Sequence, residues 1–365
     1  MLNEWNGVLR IVQVMVATVV LCLSASVRAQ CPGDITGNGQ INGADLGLVL
    51  AAWASDGTDE PGSDVNQDGI VNGADLAFVL GAWGPCVTTP AWATLIEPFP
   101  DPAVVTDPAL RAAITATGLA WRVTDTVTQI EFVLIPPGSF QMGCSASQQY
   151  GCSSNQSPVH TVTLTNAFYM GRYEVTQAQW QARMGSNPSA FQSASTQVPA
   201  AQVPNRPVER VSWNMIQGFL SQTGMRLPTE AEWEYAYRAG TTTAFHGFTG
   251  YLSGTNDGSL LGNIAWFDGN SNGQTRPVGG KLGNGYGLHD MSGNVYEWVN
   301  DWYGGSYYSS SPQNNPPGPT TGTYRVVRGG FWGSYSVDCR ASYRSSYHTP
   351  SSTYFYIGFR VARTP

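Results

Sequence analysis

Apolar residues in this chain come in short bursts separated by polar, glycine-rich stretches. Ile130–Ile135 is continuously apolar and stops at Pro136-Pro137-Gly138, which predicts a short strand. His160–Leu164 and Phe168–Tyr173 predict two more. Helices are announced by their caps. Thr176-x-x-Gln179 is a capping box for a helix to about Met184, and Ser212 caps Trp213–Gln222. Thr229-Glu230-Ala231-Glu232 is a second capping box, for a helix that Gly240 ends. Asp107-Pro108 opens a helix through Thr117, stopped at Gly118. Beyond Gly240 the pattern breaks into loops and short strands. Near the N-terminus two apolar helices, Leu46–Trp53 and Leu76–Trp83, each follow a polar loop.

Those two loops are an internal repeat. DITGNGQINGAD (Asp34–Asp45) and DVNQDGIVNGAD (Asp64–Asp75) are twelve residues long and start thirty residues apart. Gly39 and Gly69 stand at position six, where a calcium loop turns sharply. Side-chain oxygens fall at positions 1, 3, 5, 9 and 12: Asp34, Thr36, Asn38, Asn42 and Asp45, then Asp64, Asn66, Asp68, Asn72 and Asp75. Gln40 and Ile70 offer backbone carbonyls at position 7. The second loop has three Asp ligands to the first loop's two and should hold Ca²⁺ more tightly. The pair resembles type I dockerin modules, and that resemblance implies a cohesin-like protein partner.

Export is expected. Arg10 precedes the apolar run Ile11–Leu23, and Val27-Arg28-Ala29 supplies a cleavage site, so residues 1–29 read as a signal peptide. The run is short of the ~20 residues a membrane span needs, and no span is expected after cleavage. A secreted chain can keep disulfides. Cys31 and Cys86 bracket the repeated module, and Cys144 and Cys152 bracket one short loop, which suggests those pairings and leaves Cys339 over. Residues 30–86 would be the calcium module, 87–106 a Pro-rich linker, and 107–365 a large domain. The net charge of −7 leaves no basic footprint for nucleic acid. Only 12% of residues are charged, while Gly (42), Trp (12) and Tyr (17) abound, which suggests irregular loops pinned by aromatic side chains.

The large domain is organised around Gly287–Trp298, GLHDMSGNVYEW. Asp290 and Glu297, seven residues apart, could gather around a hard cation, and the same residues could equally make a tight turn into a strand. RLPTEAEWEYAYRAG (Arg226–Gly240) precedes this segment; RGGFW (Arg328–Trp332) and GFRVA (Gly358–Ala362) follow it. In this order the four segments resemble the formylglycine-generating enzyme family, the sulfatase-modifying factors, from about Glu131 to Ala362. The resemblance implies an α+β, C-type-lectin-like fold poor in regular structure. It also implies two cation sites. One would use Asn263, the carbonyl of Ile264, Asn270 (where the family has Asp) and the carbonyl of Asn272. The other would use Asp290, Glu297 and the carbonyls of Gly293 and Val295.

The family's oxidase holds Cu(I) between two cysteines five residues apart, a pairing that suits a soft metal. Counted from Arg328 without gaps, Ser334 stands at the first of these positions and Cys339 at the second, whereas a gapped alignment on CRASYR moves Cys339 off that position; Phe331 replaces a serine of the oxygen pocket. Ser334 and Cys339 are the candidate catalytic residues, and copper is not expected. Other motifs carry little. Gly269–Gly273 matches G-x-S-x-G without the helix that motif needs, and the four histidines lack HExxH spacing. His289 is expected exposed, and Arg226, Arg328, Arg344 and Arg360 are expected to pair with buried carboxylates or backbone. Two functions fit. One is a secreted domain that binds a peptide or glycan in a groove near Trp298, Trp302, Tyr303, Tyr307 and Tyr308. The other is a formylglycine-generating oxidase or other oxidoreductase acting on sulfatase-type proteins. A disulfide at Cys339 would favour the first and a free thiol the second.

Overall fold

The computed structural model describes residues 31, 33–144 and 148–365. The signal-peptide expectation lies outside them. The chain divides into two units, one ending at Thr88 and one from Thr89 to Pro365.

In the first unit, strand β1 (Gln40–Ile41) leads into helix α1 (Gly43–Ala51). Helix α2 (Gly73–Gly81) is its repeat, and β2 (Gly84–Pro85) returns antiparallel to β1. Asn42 and Asn72 cap the two helices with nearly the same backbone angles, φ −148° in both. Ile41, Val49, Val65, Val71 and Val79 form a small shared core. The Cys31–Cys86 disulfide closes the module, as the spacing suggested. A core this small gains from such a staple.

The second unit begins with β3 (Ala93–Glu97). Then come helix α3 (Pro108–Thr115) and strands β4 (Arg122–Asp125), β5 (Glu131–Ile135), β6 (Gly138–Met142), β7 (His160–Leu164) and β8 (Phe168–Gly171). Three helices follow: α4 (Gln177–Met184), α5 (Trp213–Thr223) and α6 (Glu230–Arg238). The last part is made of short strands: β9 (Ala265–Trp266), β10 (Ser292–Gly293), β11 (Tyr296–Trp302), β12 (Arg325–Arg328), β13 (Ser345–His348), β14 (Ile357–Gly358) and β15 (Ala362–Arg363). One sheet has the order β15-β8-β5-β4-β3 and another β13-β12-β11-β14.

The predicted helices and strands appear with ends shifted by a few residues, and both capping boxes are formed. The fold is the expected α+β type. One boundary differs. Residues 93–97, read as linker, are an edge strand paired with β4, with Leu95 and Ile96 exposed. The proline frequency there hid a strand that is half solvated and so lacks a strong apolar signal.

Buried arginine–glutamate pairs tie α6 to the last part of the large unit: Glu230 accepts both forks of Arg344 (2.6 and 2.8 Å), and Glu234 pairs with Arg328 as well as with its helix neighbour Arg238. Arg226 grips Glu232 in a half-exposed local pair. The arginines of the sequence motifs are therefore structural. Removing one partner of a buried pair leaves an uncompensated buried charge, which costs ~3–5 kcal/mol.

Candidate functional site

The segment 287–298 is a sharply folded loop. Gly287, Asp290, Gly293 and Asn294 all have positive φ. Only a glycine fits at 293: a Cβ there would lie 2.1 Å from the carbonyl oxygen of Trp266, against which β10 packs. The loop turns Asp290 and Glu297 inward, and both are buried. Glu297 is gripped on both oxygens, by Arg360 Nη2 (2.6 Å) and by Arg360 Nε and Trp233 Nε1 (2.7 Å each). Asp290 Oδ2 accepts from the amide of Gly279 (2.6 Å), whereas its Oδ1 is buried with no partner.

A third carboxylate joins them. Glu174, fully enclosed, accepts from Val295 N (3.1 Å) and Asn294 Nδ2 (2.6 Å), so it clamps the loop from outside. Burial, then Asp290 and Glu297, push its carboxyl well above the usual range, and burial raises Asp290 to about 6. Three carboxylates thus face one guanidinium in a buried space. Glu174 was missed in the sequence; a lone acid in the largely apolar run Phe168–Val175, which also holds Arg172, was the available signal.

His289 corrects an expectation. It is half-buried, bonded through Nδ1 to Lys281 O (2.8 Å), and desolvation lowers its pKa to about 4. Beside it opens a cleft of about 690 Å³, walled by Val104, Leu110, Thr242, Leu252 and Arg172. The G-x-S-x-G serine, Ser271, is buried and donates to Trp332 O (2.6 Å), so the motif match is accidental.

Ser334 and Cys339 are both buried. Ser334 Oγ accepts from the amide of Phe331 (3.1 Å), closing a turn. Cys339 is a free cysteine packed among Ala244, Phe245, Phe248, Leu261, Ile264 and Ala265. Burial in that apolar cluster drives its thiol far above the ordinary range, so little thiolate forms. Cys144 and Cys152 form a disulfide.

In the first expected cation site, Asn263 Nδ2 donates to Leu260 O (2.9 Å), while Asn270 closes its own turn, accepting from Phe267 N and donating to Ala265 O (2.9 Å each). Ile264 is buried, and Asn272 has φ 55°. These residues lie together, but only amides and carbonyls meet there. Asp268, a possible substitute, is exposed.

Of the expected aromatic groove, Trp298 and Tyr308 are buried while Trp302, Tyr303 and Tyr307 are half-buried. Trp298 is buried and donates to Val211 O (2.9 Å), Trp302 stacks on Arg325 (3.6 Å), and Tyr308 is buried against Arg344 (4.2 Å). A different aromatic surface lies beside Ser334. Phe191, Trp332 and Phe355 meet at 5.7–6.4 Å, and Phe331 lies against Tyr356 at 4.7 Å.

Residues 118–365 match the family described as the sulfatase-modifying factor enzyme 1-like domain. The chain belongs to this family. Residues 32–81 match the dockerin type I domain. The formylglycine-generating enzyme of Streptomyces coelicolor is 34% identical over 307 residues, covering 69% of this chain and 94% of its own length. The serine/threonine-protein kinase pkn1 of Chlamydia caviae is 33% identical over 251 residues, but this chain spans only 38% of it. Among solved structures, Treponema denticola variable protein 1 shares 31% identity with a TM-score of 0.57, covering 66% of this chain and 98% of that one. PvdO of Pseudomonas aeruginosa shares 29%, with a TM-score of 0.54, covering 67% and 98%. The fold of the large unit, which a dockerin module precedes here, is therefore shared with proteins of quite different names.

Proposed function

We propose that this is an exported, calcium-binding protein whose sulfatase-modifying factor domain binds a peptide or glycan and has no copper oxidase. The observation that carries this reading is the pair of positions Ser334 and Cys339. A hydroxyl engaged in a turn and a protonated thiol sealed in an apolar cluster do not make the paired thiolates that Cu(I) requires. A free thiol at Cys339 fits the enzyme reading, but burial keeps it protonated, and the thiolate is the species that binds metal. The half-exposed rings of Phe191, Trp332 and Phe355 supply a surface for stacking a ligand.

Calcium is assigned to two places. In the dockerin loops, Asp34 accepts from Asn38 N (3.0 Å) and Gly39 N (2.8 Å), and Asp64 accepts from Asp68 N (3.1 Å) and Gly69 N (2.9 Å), so both loops fold around the position-one carboxylate in the same way. In the central loop, the orphaned Oδ1 of Asp290 and the surplus of carboxylates over Arg360 fit a divalent cation, with Asp290 the ligand that the geometry leaves free. Glu297 would contribute only by sharing its Arg360-bound oxygens. The module leaves Leu50, Trp53, Leu80 and Trp83 exposed on its helices and their ends, which suits docking onto a cohesin-like partner.

The test is incubation with a Cys-x-Pro-x-Arg peptide, copper and a thiol, read by mass spectrometry. No formylglycine is expected; copper-dependent conversion that disappears in Cys339→Ala would establish the enzyme instead.

A further inference from the structure

The corner expected to hold the first cation of the large domain contains an ammonium. Lys281 Nζ lies 2.5 Å from the carbonyl oxygen of Gly262 and 4.0 Å from the ring centroid of Trp266. Its neighbour Leu282 donates its amide to the carbonyl of Asn263 (3.0 Å). Two consecutive residues of one loop therefore grip two consecutive residues of the other. The amide of Asn270 approaches the same turn: its Nδ2 lies 3.7 Å from where a Cβ on Gly262 would sit. The guanidinium of Arg276 stacks on Trp266 at 5.1 Å and donates to Ser271 O (3.1 Å), so the ring is flanked by two side-chain cations.

This chemistry does not suit calcium. Ca²⁺ asks for 6–8 oxygens and draws much of its affinity from carboxylates. Here the amide of Asn270 spends its oxygen on Phe267 N, and the charged side chains on the Trp266 ring are both cations. We infer that Lys281 takes the structural place of a metal in this corner, a built-in cation that ties the turn at Gly262 to the loop leading into Asp290, and that the corner is metal-free. The inference goes beyond the proposed function and does not depend on it.

Calcium bound to the full-length protein, counted by equilibrium dialysis, tests it together with thermal melts. Asn263→Ala should bind as many ions as the wild type. The double variant Asn270→Asp/Lys281→Met, which restores a carboxylate and removes the ammonium, should bind one more. Lys281→Met alone should lower the melting temperature by roughly 2–4 °C, equally in calcium and in chelator, and Lys281→Arg should recover part of that loss. Loss of an ion in Asn263→Ala, no gain in the double variant, or an unchanged melt for Lys281→Met would each overturn the inference. The Asn263→Ala count keeps its force even if the lysine variants fold poorly, because it leaves Lys281 in place.

Discussion

The dockerin loops and the central loop of the large domain both gather acidic side chains, but they do so by opposite means. Each dockerin loop draws its acidic residues from twelve consecutive positions, and they stay near the surface except for Asp45 and Asp75. Hydrogen bonds from Thr36 and Asn42 outweigh burial and hold Asp45 below the usual carboxylate range; those from Asn72, Asn66 and Val65 do the same for Asp75. Such a loop keeps its buried carboxylate charged by local hydrogen bonds alone. The central loop instead borrows Glu174, Arg360 and Trp233 from far along the chain, and there burial dominates and raises Glu174 and Asp290. The lesson is that acidic side chains gathered by one short loop stay charged near the surface, whereas those gathered from distant segments are sealed against a guanidinium, and Asp290, with one oxygen left over, sits between the two.

The comparison breaks most visibly if the metal is withdrawn from the N-terminal module. With so small a core, the isolated residues 31–86 should lose helical circular dichroism in chelator, and Asp64→Ala with Asp75→Ala should leave the second half unfolded even with calcium present. An unchanged spectrum in chelator would place these loops with ordinary turns.

Arg360→Met attacks the lock. It strips Glu297 of two of its three hydrogen bonds and should destabilise the large domain by ~3–5 kcal/mol, in calcium and chelator alike. The same guanidinium also offsets the buried charge of Glu174. Denaturant unfolding of residues 89–365 is the measurement; a loss that vanishes in chelator would make Glu297 a metal ligand first.

Asp290→Asn sharpens the contrast further. With free calcium a hundredfold above Kd the site adds ~2.7 kcal/mol, and the variant should forfeit most of that. In chelator it should match the wild type. Equal calcium-dependent shifts in both proteins would remove the ion from this loop.

The smallest effect concerns Glu209, which, like Asp290, has an orphaned buried oxygen, Oε2, while Oε1 accepts from Ala190 N (2.6 Å) and Phe191 N (2.9 Å). No other carboxylate crowds it, and burial raises its pKa to about 7, so a proton serves where Asp290 would use an ion. The folded state then holds a proton that the unfolded chain releases between its ordinary pKa of ~4.3 and 7, and stability falls as pH rises through that window. His246, His289 and His348, lowered to about 4 by burial, act in the opposite sense, so the melt must be compared with Glu209→Gln. The wild type should lose on the order of 2 kcal/mol relative to that variant between pH 5 and 7. Parallel pH profiles would show that Glu209 stays charged.

What was legible in the amino-acid sequence was whatever a few neighbouring residues decide. The repeated loops, both capping boxes, the apolar strand Glu131–Ile135 and the bracketed disulfides are all local, because turn chemistry, helix caps and short loops depend on residues a few positions apart. The ordered motifs carried the fold of the large domain. Tertiary structure alone decided which charges meet. Glu174 reaches Val295 across 121 positions, and Arg360 reaches Glu297 across 63. It also turned Trp298 inward, gathered a second aromatic surface around Trp332, and placed Lys281 over Trp266. Burial and electrostatic partners come from packing between distant segments, and neither periodicity nor spacing along the chain encodes them.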